Sequence, residues 1–519
     1  MSTASGLRSA IAIALMVLAA CLLARPGWAN HGGSTVPRFE PVDCWSYLPP
    51  EAHARCGFLV VPESRREAAG KTIRVAVAIV PATRKSSARD PLLYLAGGPG
   101  GVPILQAAMY TALGFNADRD LILVNQRGTF LSEPALVCPS IDEHFLRVLG
   151  LRFDSAAARR SMLGAARICR HDLLARKTDI SAFNTTENAS DLADLRRVLG
   201  YRQWNVYGVS YGTDLALALL RLDPKGVRSL VLDSTVPPSL VTFAAFWPNA
   251  AEGFDAFFGA CARRPACRAQ HPDLERRFTR LVRKLERRPV ATVVEDAEGQ
   301  PTRVVTDGGA LANWLVNMSF ATPLYDQVPG WIDELQRGRP QAIAASRLSQ
   351  VAPSGFIGYG LVFGVLCSEW APQTTKAEVL ASGRRAFPDY PRSVVAEPPQ
   401  FTWLADVCRL WDVPPAPPAA RRLVRSDVPT LFLAGSFDAV TPPSWARAAA
   451  RRLTRSLVVT IPGVGHGVAD ASPCAVDVMN SFLRHPGAPD TGCVAGLAPP
   501  LARLTARPIA TKFEQLFKN

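Results

Sequence analysis

Residues 204–222 read WNVYGVSYGTDLALALLRL, and this stretch decides the fold. Residues 204–209 have the composition of a buried strand, and the leucines and alanines that follow favour a helix. The segment GVSYG at 208–212 joins them and fits the pattern G-x-S-x-G, whose glycines permit the sharp turn that exposes a serine hydroxyl above a sheet. The stretch therefore predicts that Ser210 is a nucleophile; the alternative is a tight turn with an incidental serine.

Strand and helix patterns alternate on both sides of this turn. Short apolar or β-rich runs predict strands at 58–61, 72–80, 92–96, 121–125, 204–209, 227–232, 430–434 and 457–461. Helical spacing predicts helices at 156–175, after the capping-box pattern NTTE at 184–187, and at 211–222, 444–453 and 475–483. Continuous apolar strands are typical of a mostly parallel sheet covered by helices on both faces, so the predicted class is α/β.

The pattern changes after about residue 237. Residues 240–405 are predicted to be mainly helical and to form an inserted cap. The α/β pattern resumes after the proline-rich linker PPAPP at 414–418. One cap helix, at 274–288, has an apolar face opposite a row of arginines and lysines. The predicted divisions are a leader at 1–29, the first part of the core at 30–239, the cap at 240–405, the returning core at 406–498 and a peripheral tail at 499–519.

The first 29 residues have the pattern of a secretory signal peptide. Arg8 precedes an apolar run at 10–24, which is shorter than the roughly 20 residues of a membrane-spanning helix. Small residues at Gly27 and Ala29 predict cleavage after Ala29, and hence a secreted or periplasmic protein. The alternative is the lipobox-like LAAC at 18–21, which would make Cys21 a lipid anchor. No integral membrane segment is expected after cleavage.

The cysteines fit an exported protein. Of the 11 cysteines, Cys21 lies in the leader, and the others form an even set in which neighbours along the chain pair plausibly. Five disulfides are therefore expected, with a set of buried free thiols as the alternative. The sequence does not fix their connectivity, but plausible pairs of neighbours are Cys44–Cys56, Cys138–Cys169, Cys261–Cys267, Cys367–Cys408 and Cys474–Cys493. CxxC and paired histidines at metal-ligand spacing are absent from the sequence, so no metal and no cofactor are expected.

The amino-acid composition excludes several classes of protein. With 48% hydrophobic and 20% charged residues the chain is an ordinary globular protein and not a disordered or polytopic one. The net charge of +14 is not accompanied by a nucleic-acid recognition motif, so no nucleic-acid partner is expected. The basic row at 274–288 is interpreted as a solvated face, with attraction of acidic peptides or an anionic surface as the alternative.

A serine nucleophile needs a histidine base and a carboxylate that orients it. Asp438 follows the apolar run LFLAGSF at 431–437, and His466 lies in a glycine-rich loop after the strand pattern at 457–461. The order serine, acid, histidine, each after a strand, is the order of the α/β-hydrolases. The predicted triad is therefore Ser210, Asp438 and His466.

The predicted oxyanion hole lies after the strand at 92–96. The run GGPGG at 97–101 brings backbone N–H groups close to the reacting carbonyl, and the residue after the nucleophile supplies a second donor. Gly97, Gly98 and Tyr211 are the predicted donors. A phosphate-binding loop is the alternative, but GxxxxGK[ST] and GxGxxG are both absent from the sequence.

Together, GGPGG at 97–101, NQRGT at 125–129, NVYGVSYGT at 205–213, GSFD at 435–438 and GH at 465–466 resemble the serine aminopeptidases of the α/β-hydrolase fold. These include the proline iminopeptidases and the tripeptidyl aminopeptidases with their characteristic C-terminal region. The resemblance implies the same triad and oxyanion hole. Ala96, Asn125 and Phe130 depart from the family pattern, which bears on substrate fit more than on catalysis.

An aminopeptidase must also bind the free ammonium of its substrate. The segment CSEW at 367–370 resembles the family segment that does so, which makes Glu369 the candidate, with a structural salt bridge as the alternative. Glu252 and Asp255 are weaker candidates. The expected function is an exported serine aminopeptidase that releases short peptides, of tripeptidyl or prolyl type, from substrates with free N-termini. A carboxylesterase with the same triad and an inactive binding protein are the alternatives, and the oligomeric state stays open.

Overall fold

The computed structural model describes residues 36–67, 70–84, 90–296, 298–351 and 355–497. The predicted leader at 1–29, with Cys21 and the cleavage site after Ala29, lies outside the described residues, as does the predicted tail at 499–519. In the described ranges, no helix combines the length and the apolar character needed to cross a bilayer.

A mostly parallel sheet forms the centre of the molecule. Its 9 strands follow the order β1-β2-β3-β5-β4-β6-β7-β10-β11, and every neighbouring pair from β5 to β11 is parallel. Their bounds are β1 (Arg38–Val42), β2 (Arg55–Pro62), β3 (Thr72–Val80), β4 (Leu92–Leu95), β5 (Leu121–Val124), β6 (Trp204–Val209), β7 (Val227–Asp233), β10 (Thr430–Gly435) and β11 (Ser456–Ile461). The predicted α/β class is confirmed.

Helices cover both faces of this sheet. The helices before residue 290 are α1 (Ala107–Ala112), α2 (Pro139–Leu149), α3 (Ala156–Ala175), α4 (Thr185–Val198), α5 (Tyr211–Leu222), α6 (Phe246–Arg263), α7 (Pro265–Gln270) and α8 (Leu274–Arg287). Those after residue 306 are α9 (Gly308–Asn317), α10 (Val328–Gln336), α11 (Gln341–Ser349), α12 (Tyr359–Val365), α13 (Lys376–Ala386), α14 (Leu404–Trp411), α15 (Pro443–Ala450), α16 (Val468–Ala471) and α17 (Pro473–Arg484).

The two faces of the sheet contribute to two separate hydrophobic cores. In β4, Leu93 and Leu95 belong to one core, whereas Leu92 and Tyr94 belong to the other. Successive side chains of a strand point to opposite faces, so a strand with a core on each side has to be apolar at every position. This is the physical reason for the continuous apolar runs in the sequence.

The segment between β7 and β10 is mainly helical, but it also contains a two-stranded hairpin. The strands β8 (Val290–Glu295) and β9 (Pro301–Thr306) pair antiparallel, and the sequence analysis did not predict them. All of β8 is exposed or partly exposed, so it lacks the buried run that would have signalled a strand. Helix α8 buries Phe278, Leu281, Val282 and Leu285, the apolar face predicted for it. The predicted domain bounds stay predictions.

Five disulfides join neighbouring cysteines along the chain. They are Cys44–Cys56, Cys138–Cys169, Cys261–Cys267, Cys367–Cys408 and Cys474–Cys493, so the predicted pairing is confirmed. The Cys367–Cys408 bridge fixes the segment after α12 to helix α14, and Cys474–Cys493 fixes the end of the described chain to helix α17.

A buried ion pair supports the loop after β5. Arg127 is fully buried, and its Nε and Nη2 donate to the two carboxylate oxygens of Asp191 in α4 at 2.7 and 2.8 Å. The capping box predicted at 184–187 forms only in its first half. Asn184 accepts from the backbone N–H of Glu187, while the Glu187 carboxylate binds Arg65 at 2.7 Å. The stronger attraction to a guanidinium explains this difference.

The Arg127→Met variant should therefore be strongly destabilised. It leaves the buried carboxylate of Asp191 with only Arg65, and losing one partner of a buried pair typically costs about 3 kcal/mol or more. Arg197→Met removes an exposed pair with Asp194 and should cost under about 1 kcal/mol. Urea unfolding with the disulfides intact measures both; equal losses of unfolding free energy would contradict a structural role for Arg127.

Candidate active site

The turn between β6 and α5 holds Ser210 in an unusual conformation. Its φ of 57° and ψ of −126° lie in a region that non-glycine residues rarely adopt, and its N–H donates to the Asp233 carbonyl at 2.9 Å. Glycine is required on both sides, because a Cβ on Gly208 would overlap the backbone of Gly212, and a Cβ on Gly212 would overlap the carbonyl oxygen of Leu95. The turn leaves the Ser210 side chain partly exposed.

Asp438 and His466 lie next to each other at the same end of the sheet. Asp438 follows β10 and is fully buried, and His466 follows β11 and is 9% exposed. The Nδ1 of His466 lies 2.9 Å from Oδ2 of Asp438. Nε2 of His466 is buried and has no hydrogen-bond partner among the described residues. The pair leaves this nitrogen free to exchange a proton with another group.

Their electrostatics suit a charged pair. Burial alone would lower the pKa of His466, but the Asp438 carboxylate and its hydrogen bond outweigh burial and raise the pKa above the ordinary 6.5. Burial alone would raise the pKa of Asp438, but His466 and the hydroxyl and N–H of Thr441 hold it below its ordinary value. The carboxylate stabilises the imidazolium that forms when His466 accepts a proton.

The glycine loop after β4 packs directly against the serine. A Cβ on Gly97 would lie 2.7 Å from Cβ and 3.3 Å from Oγ of Ser210, so only glycine fits there. Gly98 has a φ of 111°, a value that side chains disfavour. Gln126 donates to the Ala96 carbonyl at 3.0 Å and so supports the start of the loop. The structure thus brings Gly97 beside Ser210, and Tyr211 follows Ser210 as the first residue of α5.

Three residues that sequence reasoning missed hold the pair in place. The hydroxyl of Thr441 donates to Oδ2 of Asp438 at 2.6 Å and lies 3.0 Å from Nδ1 of His466. The Ser319 carbonyl accepts from the N–H of His466 at 2.6 Å. Thr441 had a local signal, since a threonine shortly after an aspartate is typical of a turn closed by side chains. Ser319 had none, because it lies far away in the sequence.

Asp233 is the third of these residues. It ends β7, is fully buried, and accepts from the N–H groups of Val468 and Ala469 at 2.8 and 2.9 Å. Ser234 accepts from the N–H of Gly467 at 2.9 Å. Together they fix the chain directly after His466. Burial raises the pKa of Asp233, although these donors oppose the shift.

The candidates for ammonium binding lie in two different places. Both oxygens of Glu369 accept from Thr185, from its N–H at 2.9 Å and its hydroxyl at 2.8 Å, and the residue is 8% exposed. Glu252 accepts from the N–H of Ser444 at 3.0 Å and lines a cavity of about 380 Å³. Burial raises the pKa of Asp255, with Glu252 contributing. In the described part of the chain, no three acidic, histidine or cysteine side chains are grouped to hold a metal ion.

Comparison with known families agrees with this architecture. The family model described as alpha/beta hydrolase fold matches residues 90–321, and the family model described as TAP-like protein matches residues 396–495. The two matches cover more than half of the chain. The chain therefore has the α/β-hydrolase fold and a TAP-like region near its C-terminus, as its motifs predicted.

Curated relatives resemble it along most of their length. The tripeptidyl aminopeptidase of Streptomyces coelicolor is 27% identical over 86% of this chain and 84% of its own, and that of Streptomyces lividans is 27% identical over 83% and 81%. YuaR of Escherichia coli (strain K12), whose name describes it as a hydrolase without a stated substrate, is 24% identical over 83% and 86%. The chain is thus a hydrolase that resembles tripeptidyl aminopeptidases.

The pH dependence of hydrolysis should reflect the pKa of His466 in its pair with Asp438. A base must be neutral to accept a proton, so kcat/KM should fall as the pH drops through the raised pKa of His466, with a midpoint above 6.5. Asp438→Asn removes the charge that raises this pKa and should move the midpoint lower as well as reducing the rate. A pH profile with a chromogenic ester measures both, and an unmoved midpoint in the variant would contradict this assignment.

Removing the Thr441 hydroxyl should weaken hydrolysis without unfolding the protein. Thr441→Val keeps the shape and the N–H donor but deprives Oδ2 of Asp438 of a charge-assisted hydrogen bond. We expect kcat to fall about tenfold with little change in KM, since such a bond contributes roughly 1.5 kcal/mol or more. Thr454→Val, on an exposed threonine, is the control. A KM effect alone would argue against Thr441 as a support of the pair.

Proposed function

We propose that this protein is an exported serine aminopeptidase that releases short peptides from substrates with free N-termini. The main support for the proposal is the buried pair of Asp438 and His466, in which Nε2 of His466 has no partner among the described residues. This pair and the strained turn at Ser210 both follow the carboxyl ends of parallel strands, at the same end of the sheet. A hydrolytic triad needs a serine presented on such a turn and a histidine that is hydrogen-bonded to a carboxylate.

The proposed reaction has two halves. Ser210 Oγ attacks the carbonyl carbon of the scissile bond while Nε2 of His466 takes the hydroxyl proton. The N–H of Tyr211 and that of Gly97 or Gly98 stabilise the oxyanion. As the carbon–nitrogen bond breaks, His466 returns the proton to the leaving amine, and the acyl group stays on Ser210. Water then attacks this acyl-enzyme with His466 as the base, which releases the short peptide and restores Ser210.

The choice of substrate is supported by the relatives. Two of them carry the name tripeptidyl aminopeptidase and align with most of the chain at 27% identity. The group that binds the substrate ammonium stays a prediction. Because both oxygens of Glu369 already accept from Thr185, a carboxylesterase with the same triad is the second candidate function.

The proposed export is supported by the disulfides. Five of them would be unusual in a reducing cytosol and are typical of secreted or periplasmic proteins. Cleavage after Ala29 is the proposed processing, and lipid attachment at Cys21 is the alternative.

Three substrates tested side by side distinguish these functions. A tripeptide anilide with a free N-terminus should be hydrolysed much faster than its N-acetylated twin, and a p-nitrophenyl ester should also react. Ser210→Ala should lower kcat by about four orders of magnitude or more on each substrate. Ser190→Ala, which changes a serine on the surface of α4, is the matched control.

Equal rates on the free and acetylated anilides would contradict the aminopeptidase function. Hydrolysis of the ester alone would favour the carboxylesterase. Undiminished activity of Ser210→Ala would overturn the proposed mechanism for both.

A further inference from the structure

The side chain of Tyr211 is anchored in the interior of the protein. Its ring is fully buried, and its hydroxyl lies 2.9 Å from Oγ1 of Thr185. Tyr211 is also the proposed oxyanion donor, through its backbone N–H. Whatever holds the ring of Tyr211 in place therefore also holds this N–H.

Thr185 in turn is held by Glu369. Thr185 is the first residue of α4, and both its N–H and its hydroxyl donate to the Glu369 carboxylate, at 2.9 and 2.8 Å. A threonine hydroxyl has one proton, so when it donates to Glu369 it accepts from Tyr211. A continuous chain of hydrogen bonds thus runs from Tyr211 through Thr185 to Glu369.

The far end of this chain is fixed. Glu369 lies in the helical turn Leu366–Trp370, where the neighbouring Cys367 is bridged to Cys408 and Ser368 donates to the Gly364 carbonyl at 2.7 Å. This turn belongs to the segment predicted as the cap. Each oxygen of this carboxylate already accepts a hydrogen bond from Thr185, and the residue is only 8% exposed, so little of the group is open to a substrate ammonium.

We propose that Glu369 is a positioning residue, which acts through Thr185 and Tyr211 to hold the oxyanion hole. The inference rests on the proposed function, since it needs Ser210 as nucleophile and Tyr211 as donor. Strained backbone such as that of Ser210 persists only where its surroundings hold it. Gly212 against Leu95 holds one side of this turn, and the chain of hydrogen bonds holds the other.

The carboxylate lies in a group of buried charges. Burial raises the pKa of Glu369 to about 7, with the Thr185 donors, Arg221 and Arg421 opposing the shift. Burial and the charge of Glu369 together raise the pKa of Asp214, which lies in the first turn of α5 after Tyr211. A protonated Glu369 donates to Oγ1 of Thr185, whose hydroxyl then donates to Tyr211. The chain reverses its direction but stays intact in either state, as it would with a glutamine at this position.

The two roles of Glu369 therefore predict opposite results for Glu369→Gln. As a positioning residue it tolerates glutamine, whose amide still accepts from the N–H of Thr185 and donates to its hydroxyl. As an ammonium anchor it does not, because the charge is lost. Tyr211→Phe and Thr185→Val each remove one hydroxyl without changing the shape of the side chain, and Glu369→Met breaks the chain at its far end.

The test is the rate at which a fluorophosphonate, which carries no ammonium, labels Ser210. The Oγ–phosphorus bond forms, the phosphorus–fluorine bond breaks, fluoride leaves, and His466 accepts the proton. We expect Tyr211→Phe, Thr185→Val and Glu369→Met each to slow labelling about tenfold, and Glu369→Gln to stay within about twofold of wild type. Tyr211→Phe combined with Thr185→Val should be no slower than either alone.

Controls separate this effect from general destabilisation. Glu286→Met removes another buried glutamate, which accepts from Gly309 at a different helix start, and it should lower stability without slowing labelling. On the tripeptide anilide, the three slow variants should lose kcat with KM nearly unchanged. If Glu369→Met does not fold, Tyr211→Phe still decides the question, since it deletes only one hydroxyl.

Two results would overturn the inference. One is labelling of Tyr211→Phe and Thr185→Val at the wild-type rate. The other is a Glu369→Gln variant that reacts normally with the fluorophosphonate but loses its preference for a free N-terminus, which would make Glu369 the ammonium anchor. Labelling that persists in Ser210→Ala would instead refute the proposed function, so the two failures are distinguishable.

Discussion

The close approach of helix α5 to strand β4 is the constraint on which the fold and the site both depend. At Gly212 the helix lies so near the strand that any side chain would overlap the carbonyl oxygen of Leu95. The chain can enter the helix at this distance only through a sharp turn, which forces Ser210 to a φ of 57°. The packing that closes the core therefore also exposes the serine, so the same contact supports both the core and the proposed nucleophile.

Three buried carboxylates around this turn show how the environment sets their roles. Asp438 faces His466, so its pKa is held below the ordinary value and it suits a charged pair. Asp233 meets backbone N–H groups, and Glu369 meets the start of α4; burial raises the pKa of both, and both support backbone. The residue type is similar in all three cases, and direct hydrogen bonding to an ionisable histidine distinguishes Asp438 from the other two.

Prediction from sequence succeeded where a single element carries the information. Continuous apolar runs identified the central strands, because these strands contact a core on each face. Strands β8 and β9 were missed, because β8 has no buried residue and only the last half of β9 is buried, which leaves no such run. Strand β1 was missed for the same reason: it lies at the edge of the sheet and none of its residues is buried. The predicted capping box at 184–187 was half right, because the Glu187 carboxylate binds Arg65, which lies far away in the sequence, and does not complete the box.

By itself the sequence determined the α/β class, the turn at Ser210, and the placement of Asp438 and His466 after their strands. Each depends on residues within one or two adjacent elements, where spacing reflects geometry. Only the tertiary structure decided that Ser319 supports the pair, and that Glu369 meets Thr185. These contacts join segments whose separation along the chain leaves no periodic signal, and burial then determines which polar atoms must find each other.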